Sequence, residues 1–218
     1  MKIKSGLLAI SLAMAMLSQS AHADPVSLIN WGFENNWTSV GQTGSDGHVT
    51  FNYRPAGPDM GWTFTNGGGV AASYSYLHAY EGNRFALLQL ASGFSQSFSL
   101  ASASATTTLE FALALRPGYY AGQTVSVLVD GVEKAKFTPA GTSWSLMQAD
   151  LGALTAGNHI LAFKGNKAWD GHTDTTAFVD AVKLNVSPVP EPESAALFLA
   201  GLGLMGAVAR RRKSARSS

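Results

Sequence analysis

The 218-residue chain contains no cysteine, so no disulfide can brace it and no thiol can act as nucleophile or metal ligand. Charge is also scarce, since Asp, Glu, Lys and Arg make up only 13% of the residues. Two of the 15 basic residues lie near the start and five lie in the last nine positions. Residues 24–187 therefore hold eight basic side chains against 12 acidic ones, a net charge of −4 (8 − 12). A nucleic-acid-binding surface needs clustered Lys and Arg, and that class is excluded.

The motifs of catalysis are missing as well. Gly93-Phe94-Ser95-Gln96-Ser97 and Gly141-Thr142-Ser143-Trp144-Ser145 each lack the final glycine of a nucleophile elbow. His48, His78, His159 and His172 form no pair at i, i+4 on a helix, so nothing supports a catalytic zinc. Asn66-Gly67-Gly68-Gly69 lacks the Lys-Ser/Thr and helix of a phosphate cradle and reads as a loop. Most acidic residues sit beside Gly, Asn or Pro, where turn and cap roles are the default. These absences argue against an enzyme.

The beginning of the chain is organised for export. Lys2 and Lys4 precede the apolar run Gly6–Leu17, and Ala21-His22-Ala23 supplies small residues around one spacer. This is the three-part pattern of a secretory signal, with cleavage expected after Ala23. The body that follows, 24–187, shows no sustained helical period. It shows short alternating runs separated by turn residues, which is the strand signal. Val49, Phe51 and Tyr53 share one face of His48–Tyr53; Phe94, Gln96, Phe98 and Leu100 share one face of Gly93–Leu100. Leu109, Phe111, Leu113 and Leu115 alternate in the same way, as do Val125, Val127 and Val129. Asp130-Gly131 is a two-residue hairpin signal with a partner strand expected at Val132–Phe137. With His159–Lys164 and Ala177–Val186, the pattern predicts an all-β, two-sheet antiparallel sandwich, a jelly roll in its edge-protecting form.

Aromatic side chains carry the candidate binding chemistry. Trp62, Tyr74, Tyr76, Tyr80, Tyr119, Tyr120 and Trp169 fall near expected loops or strand ends. Such rings can stack on the apolar faces of sugars while their polar edges hydrogen-bond, or they can fill the core and cap the ends of the sandwich. Trp62, Tyr119, Tyr120 and Trp169 are taken as ligand-binding candidates. Asp170-Gly171-His172-Thr173-Asp174 is the most polar loop. It lacks the spacing of a calcium-binding helix-loop-helix and reads as a solvated turn.

From Val189 the chain changes character. Val189-Pro190-Glu191-Pro192 is followed by the apolar run Ala195–Ala209 and by Arg210-Arg211-Arg212-Lys213, with a polar tail at 214–218. Fifteen residues make a helix about 22 Å long at 1.5 Å per residue, short of a hydrocarbon core of roughly 30 Å. This three-part arrangement over 188–213 resembles the PEP-CTERM sorting signal of Gram-negative bacteria. The resemblance implies recognition and cleavage by an exosortase near the Pro-Glu-Pro box. It also implies a transient membrane anchor and a final place at the cell surface or in the extracellular matrix.

The body resembles galactose-binding-like jelly rolls, the fold of many carbohydrate-binding modules. The matching pieces are Leu28–Glu34 (LINWGFE), Gly61-Trp62, Glu81–Leu90, Phe94–Phe98 and Phe178–Leu184 (FVDAVKL). In the last, Ala181 stands where Asn is usual. The resemblance implies that Glu34 and Asp180, with backbone carbonyls, hold a structural calcium. The expected function is thus a non-catalytic exported protein that binds polysaccharide. Its partners would be the secretion machinery, signal peptidase, exosortase and exopolysaccharide. The alternatives are a structural or adhesive matrix protein without a specific ligand, and a polysaccharide hydrolase or lyase.

Overall fold

The computed structural model describes residues 24–36, 43–45, 50–72, 77–117, 122–168, 174–189 and 192–214. The signal segment with Ala23, and Tyr74, Tyr76, Tyr119, Tyr120, Trp169, Pro190 and Glu191, lie outside them. Ala23–Ser187 forms one compact unit, and the chain from Pro188 onward lies outside that unit.

The alternating runs become strands, and the strand pairings among the described residues are antiparallel. In chain order these are β1 (Asp24–Val26), β2 (Thr43–Ser45), β3 (Thr50–Tyr53), β4 (Thr63–Thr65), β5 (Gly68–Ala72) and β6 (Arg84–Gln89). Then come β7 (Gly93–Leu100), β8 (Ser104–Leu115), β9 (Val125–Val129) and β10 (Val132–Phe137). The last are β11 (Ser145–Asp150), β12 (Gly157–Gly165) and β13 (Thr176–Pro188). One sheet has eight strands in the order β11-β8-β13-β6-β5-β3-β2, with β1 beside β13; the other runs β10-β9-β12-β7-β4. The Asn66-Gly67 turn joins β4 to β5 and so links the sheets, while Asp130-Gly131 closes the β9–β10 hairpin.

Period-2 patterning decides which side chains meet between the layers. Leu109, Phe111 and Leu113 of β8 face the core along with Ala86 and Leu88 of β6; Val125, Val127, Val129, Leu161, Phe163, Phe94 and Phe98 come from the smaller sheet. Phe94 stacks on Phe163 with ring centroids 4.9 Å apart, and Phe111 meets Phe163 edge-on at 5.1 Å.

Strand β13 changes phase in its middle. Ala177 and Val179 belong to the core, and so do Val182, Leu184 and Val186, so the inward set slips by one residue at Asp180-Ala181. Ala181 has φ 52°, in the left-handed region that costs an alanine roughly 1–2 kcal/mol. This is a β-bulge. Before it, β13 pairs with β6 over Thr176–Val179; after it, Leu184–Val186 pair with β1. Position 181 is therefore one where Asn or Gly suits the backbone better than Ala. Ala181→Gly is expected to raise the melting temperature by relieving about 1 kcal/mol of strain, as read by thermal unfolding; a lower melting temperature would count against that strain.

The helix α1 spans Pro192–Ser214. Among the described residues, no helix is long and apolar enough to cross a membrane. Phe198, Leu199, Leu202, Leu204, Met205 and Val208 are exposed along it.

Candidate functional site

The outer face of the eight-stranded sheet is not the polar surface that alternation alone would lead one to expect. Phe51 and Tyr53 of β3, Ala71 of β5, Phe85 and Leu87 of β6, Ala114 of β8 and Phe178 of β13 form a second apolar cluster there. Register explains the grouping: Tyr53 pairs with Gly69, Gly69 with Leu87, and Leu87 with Phe178. Gly69 brings no side chain to this row, and a Cβ there would run into the Asn52 carbonyl of β3. Phe51 and Tyr53 lie 5.1 Å apart and only half-buried. Trp144 packs on Phe85 at 5.6 Å and on the exposed ring of Tyr80 at 6.3 Å, and its Nε1 donates to the carbonyl of His78 at 2.7 Å.

A polar string lies beside this apolar row. The Tyr53 hydroxyl donates to Gln89 Oε1 at 2.7 Å, and Gln89 Nε2 donates to Asp174 Oδ2 at 2.8 Å. Arg116 Nη1 faces the same Asp174 oxygen at 3.6 Å. Thr176 pairs with Gln89 across β13 and β6, which brings its side chain beside the string. Among the described residues, Asp174 Oδ1 and Thr176 Oγ1 are buried without a hydrogen-bond partner. Phe51, Tyr53, Leu87, Arg116, Thr176 and Phe178 line one concavity.

Behind the string, Gln123 is fully buried and fixes the bases of the neighbouring connections. Its Nε2 donates to the carbonyl of Leu90 at 2.9 Å and, at 3.4 Å, to those of Leu88 and Thr175. Its Oε1 accepts from the backbone N–H groups of Asn166 and Lys167 at 3.2 and 3.1 Å. One amide thus ties β6, the start of β9's approach, and both sides of the β12–β13 connection.

The second site sits beside the bulge. Gly82 has φ 69°, and a Cβ there would run into the Glu34 carboxylate; the turn closes over Glu34 only because residue 82 is glycine. Glu34 Oε1 accepts from the N–H groups of Asn83 and Arg84 at 2.8 and 2.7 Å. Arg84 Nη1 donates to the carbonyls of Glu34 and Asn35. Asp180 is fully buried; its Oδ2 accepts from Glu81 N at 3.0 Å and its Oδ1 from Ala181 N at 2.7 Å. Burial, with a smaller push from the charge of Glu34, raises the Asp180 carboxyl to about 7 against the pull of backbone N–H groups at Glu81, Ala181 and Tyr80. The segment Tyr80–Arg84 thus brings together two carboxylates 146 positions apart (180 − 34). Among the described residues, no group of three or more His, Cys, Asp or Glu side chains forms a metal cluster, so backbone carbonyls would have to complete any ion's shell.

Of the aromatic candidates, Trp62 is corrected. It is 3% exposed and lies in the main core, between Phe33 at 5.5 Å and Phe94 at 5.2 Å. Its Nε1 donates to the carbonyl of Asn30 at 2.9 Å. Gly61 explains the placement: at φ 71° its α-carbon abuts Ile29, where a Cβ would come within 2.8 Å of Ile29 side-chain atoms, and the chain turns Trp62 inward. Tyr119, Tyr120 and Trp169 fall outside the described residues, in the connections that leave β8 after Arg116 and enter β13 through Asp174. Asp174, read as part of a solvated turn, is instead the centre of the polar string. Sequence reasoning missed Tyr53, Gln89, Arg116, Thr176 and Gln123 as site residues. The one available signal was the shared face of Phe51 and Tyr53.

Residues 188–213 match the family model described as the PEP-CTERM protein-sorting motif, and the chain carries that motif there. No curated protein matches the chain. Among solved structures, the carbohydrate-binding module TmCBM61, solved with beta-1,4-galactotriose, is 17% identical with a TM-score of 0.45, covering 74% of this chain and 98% of its own. The CBM22-1 xylan-binding domain of Paenibacillus barcinonensis Xyn10C is 14% identical with a TM-score of 0.44, covering 70% and 99% respectively. The module CBM36, solved with calcium and xylotriose, is 21% identical with a TM-score of 0.34, covering 47% and 79%.

Proposed function

We propose that the protein is an exported, non-catalytic polysaccharide-binding protein whose ligand lies on the outer face of the eight-stranded sheet. The observation that carries this reading is the pairing of an aromatic row with a hydrogen-bonding string on one face. Phe51 and Tyr53 offer ring surface for the C–H faces of a sugar, and the Tyr53–Gln89–Asp174–Arg116 string offers directed polar atoms beside it. Apolar stacking surface with a few fixed polar groups is what a sugar site requires. Tyr119, Tyr120 and Trp169 belong to the proposal as rings contributed by the adjoining connections. The sorting motif supplies the address: exosortase acts near Val189, Pro190, Glu191 and Pro192, with Arg210, Arg211 and Arg212 as the cytoplasmic stop, after signal peptidase has cut behind Ala23.

A structural calcium at Glu34 and Asp180 is the second part of the proposal. What supports it is Asp180 itself, a fully buried carboxyl with no basic side chain paired to it among the described residues. A buried carboxylate costs several kcal/mol unless a cation or a proton compensates it, and oxygen donors suit a hard divalent cation. Glu34 and Asp180 would hold the ion and tie the first strands to the last.

Binding is tested by affinity electrophoresis of the purified protein through gels containing bacterial exopolysaccharide. Retardation is expected, and Phe51→Ala with Tyr53→Ala is expected to weaken it about tenfold or more, the equivalent of about 1.4 kcal/mol. Undiminished retardation of the double variant would place the ligand elsewhere. Migration identical in the presence and absence of every polymer would leave a structural role in the matrix.

A further inference from the structure

We propose that the connection between β11 and β12, residues 151–156, is a pH-sensitive flap, latched by the His159 ring while that ring carries two N–H groups and released when it loses one. The latch is built from the fold alone and stands whether or not the polysaccharide reading holds.

His159 is 7% exposed and belongs to the inward row of β12 with Leu161 and Phe163. It lies beside Phe98 of β7, with ring centroids 5.5 Å apart. Each ring nitrogen meets an acceptor: Nδ1 is 2.7 Å from Asp130 Oδ2, and Nε2 is 2.9 Å from the carbonyl oxygen of Thr155. A carbonyl can only accept, and so can an ionised carboxylate, whereas a neutral imidazole has a single N–H to offer. Both contacts are hydrogen bonds only when the ring is an imidazolium.

The two acceptors differ in how firmly they are held. Asp130 is fixed independently of the ring, since its Oδ1 accepts from Ile160 N at 2.8 Å and its own N–H donates to the Ile160 carbonyl at 2.9 Å. Thr155 sits on a connection bounded by two glycines at positive φ, Gly152 at 78° and Gly157 at 122°, each with open space where a Cβ would point. Such positions can absorb a backbone rotation. Between them, Leu154 reaches the main core, its N–H donates to Ser104 Oγ and its carbonyl accepts from Ser104 N, both at 2.8 Å. The flap is thus tied at Ser104, which does not titrate, and at His159, which does.

On deprotonation the remaining proton stays on Nδ1, where the acceptor is charged and the bond stronger. Nε2 then turns a lone pair toward the Thr155 carbonyl, and an attraction becomes a repulsion between two acceptors. The surrounding charges do not offset this. Asp130 acts on the ring, and Lys134 of β10 acts on Asp130. Strands β7 and β9 and residues 151–156 carry no charged side chain; in β6, which also touches β12, Arg84 is bonded to the carbonyls of Glu34 and Asn35. The bond to Asp130, followed by the Thr155 carbonyl, holds the ring above its ordinary 6.5 against the effect of burial. The latch is therefore complete below 6.5 and is lost as pH rises through the raised value. Its acid limit lies below 3.8, because the bond to His159 and the N–H of Ile160 lower Asp130.

The test uses the full chain, purified in detergent, with Thr155→Cys as its single thiol. That side chain is exposed, and the substitution keeps the backbone carbonyl. A spin label there is expected to be restricted at about pH 5 and mobile at about pH 9, its mobile component growing about tenfold per pH unit up to the ring's midpoint. In the protein without the label, the nitrogen NMR resonances of the His159 ring are expected to titrate with a midpoint above 6.5 and to show the Nδ1–H tautomer once neutral. Asp130→Asn, which keeps an acceptor and removes the charge, is expected to lower the ring midpoint and the midpoint of label release together. His159→Gln is expected to abolish the label's step; should that variant fail to fold, Asp130→Asn and the ring tautomer decide. Both readouts are local to the flap, so the titration of Asp180 does not enter them. A label equally mobile at both pH values would overturn the latch, as would a neutral ring protonated on Nε2 or a release midpoint that Asp130→Asn leaves in place.

Discussion

Replacing Trp62 by Ala is expected to cost about 3–5 kcal/mol, the range for deleting a large buried aromatic. Against a typical total of 5–15 kcal/mol, that is a large part of the protein's stability. At roughly 2–4 °C per kcal/mol for a domain of this size, the melting temperature should fall by about 10 °C. The cause is local and specific. The indole occupies the space between Phe33 and Phe94, with Phe163 beyond at 6.4 Å, and no polar side chain could refill it. Its Nε1 also satisfies the carbonyl of Asn30, a residue that in turn holds Met60 and Asn35 through its side chain. Trp62→Phe keeps much of the ring volume and drops only that bond, so a smaller loss of about 1–3 kcal/mol is expected. Thermal unfolding followed by circular dichroism measures both. Glycan binding by Trp62→Phe should be unchanged; a selective loss of binding with an intact melt would return Trp62 to the ligand face.

That correction shows what kind of information the sequence holds. Strand alternation was readable because a half-buried strand must repeat every second residue, and Phe94, Phe98, Leu109, Phe111, Val125 and Val127 do so. The hairpin at Asp130-Gly131 was readable because it is closed by two adjacent residues. An aromatic ring beside a glycine carries no such local mark. Gly61 sends Trp62 inward only because Ile29, more than thirty positions earlier, leaves no room for a side chain. The polar string is hidden for the same reason: Tyr53 and Gln89 are 36 residues apart, and Gln89 and Asp174 are 85 apart. Strand order alone brings them together. Alternation did place Phe51 and Tyr53 on one face, but it could not say that the face would carry a second apolar cluster rather than join the main core. Glu34 and Asp180 lie between these cases. The resemblance to jelly-roll modules marked both residues, while the turn over Gly82 and the bulge at Ala181 that bring them to one place are visible only in three dimensions.

The same pair should make stability depend on calcium and on pH in opposite senses. In calcium-free protein, Asp180 has a folded-state pKa of about 7 against an ordinary 3.8. The folded form therefore holds the proton more tightly than the unfolded chain does. Its contribution is complete below about pH 4 and is lost as pH rises through about 7, with the gap setting an upper bound of about 4 kcal/mol. Calcium reverses the requirement, because it needs the carboxylate and competes with the proton. Stabilisation by the ion should consequently be full above pH 7 and fade as the pH falls. At a free concentration 100-fold above its dissociation constant the ion would add about 2.7 kcal/mol, or about 5–10 °C. Melting curves at pH 5 and pH 8, each with calcium and with chelator, read both slopes at once. The chelator is expected to matter at pH 8 and to have little effect at pH 5. Asp180→Asn removes the titrating group and the proposed ligand together, so both dependences should vanish in that variant. A wild-type melt indifferent to chelator at pH 8 would eliminate the calcium while leaving the proton-linked slope to be accounted for by Asp180 alone. A chelator effect that survives in Asp180→Asn would instead place the ion away from the bulge.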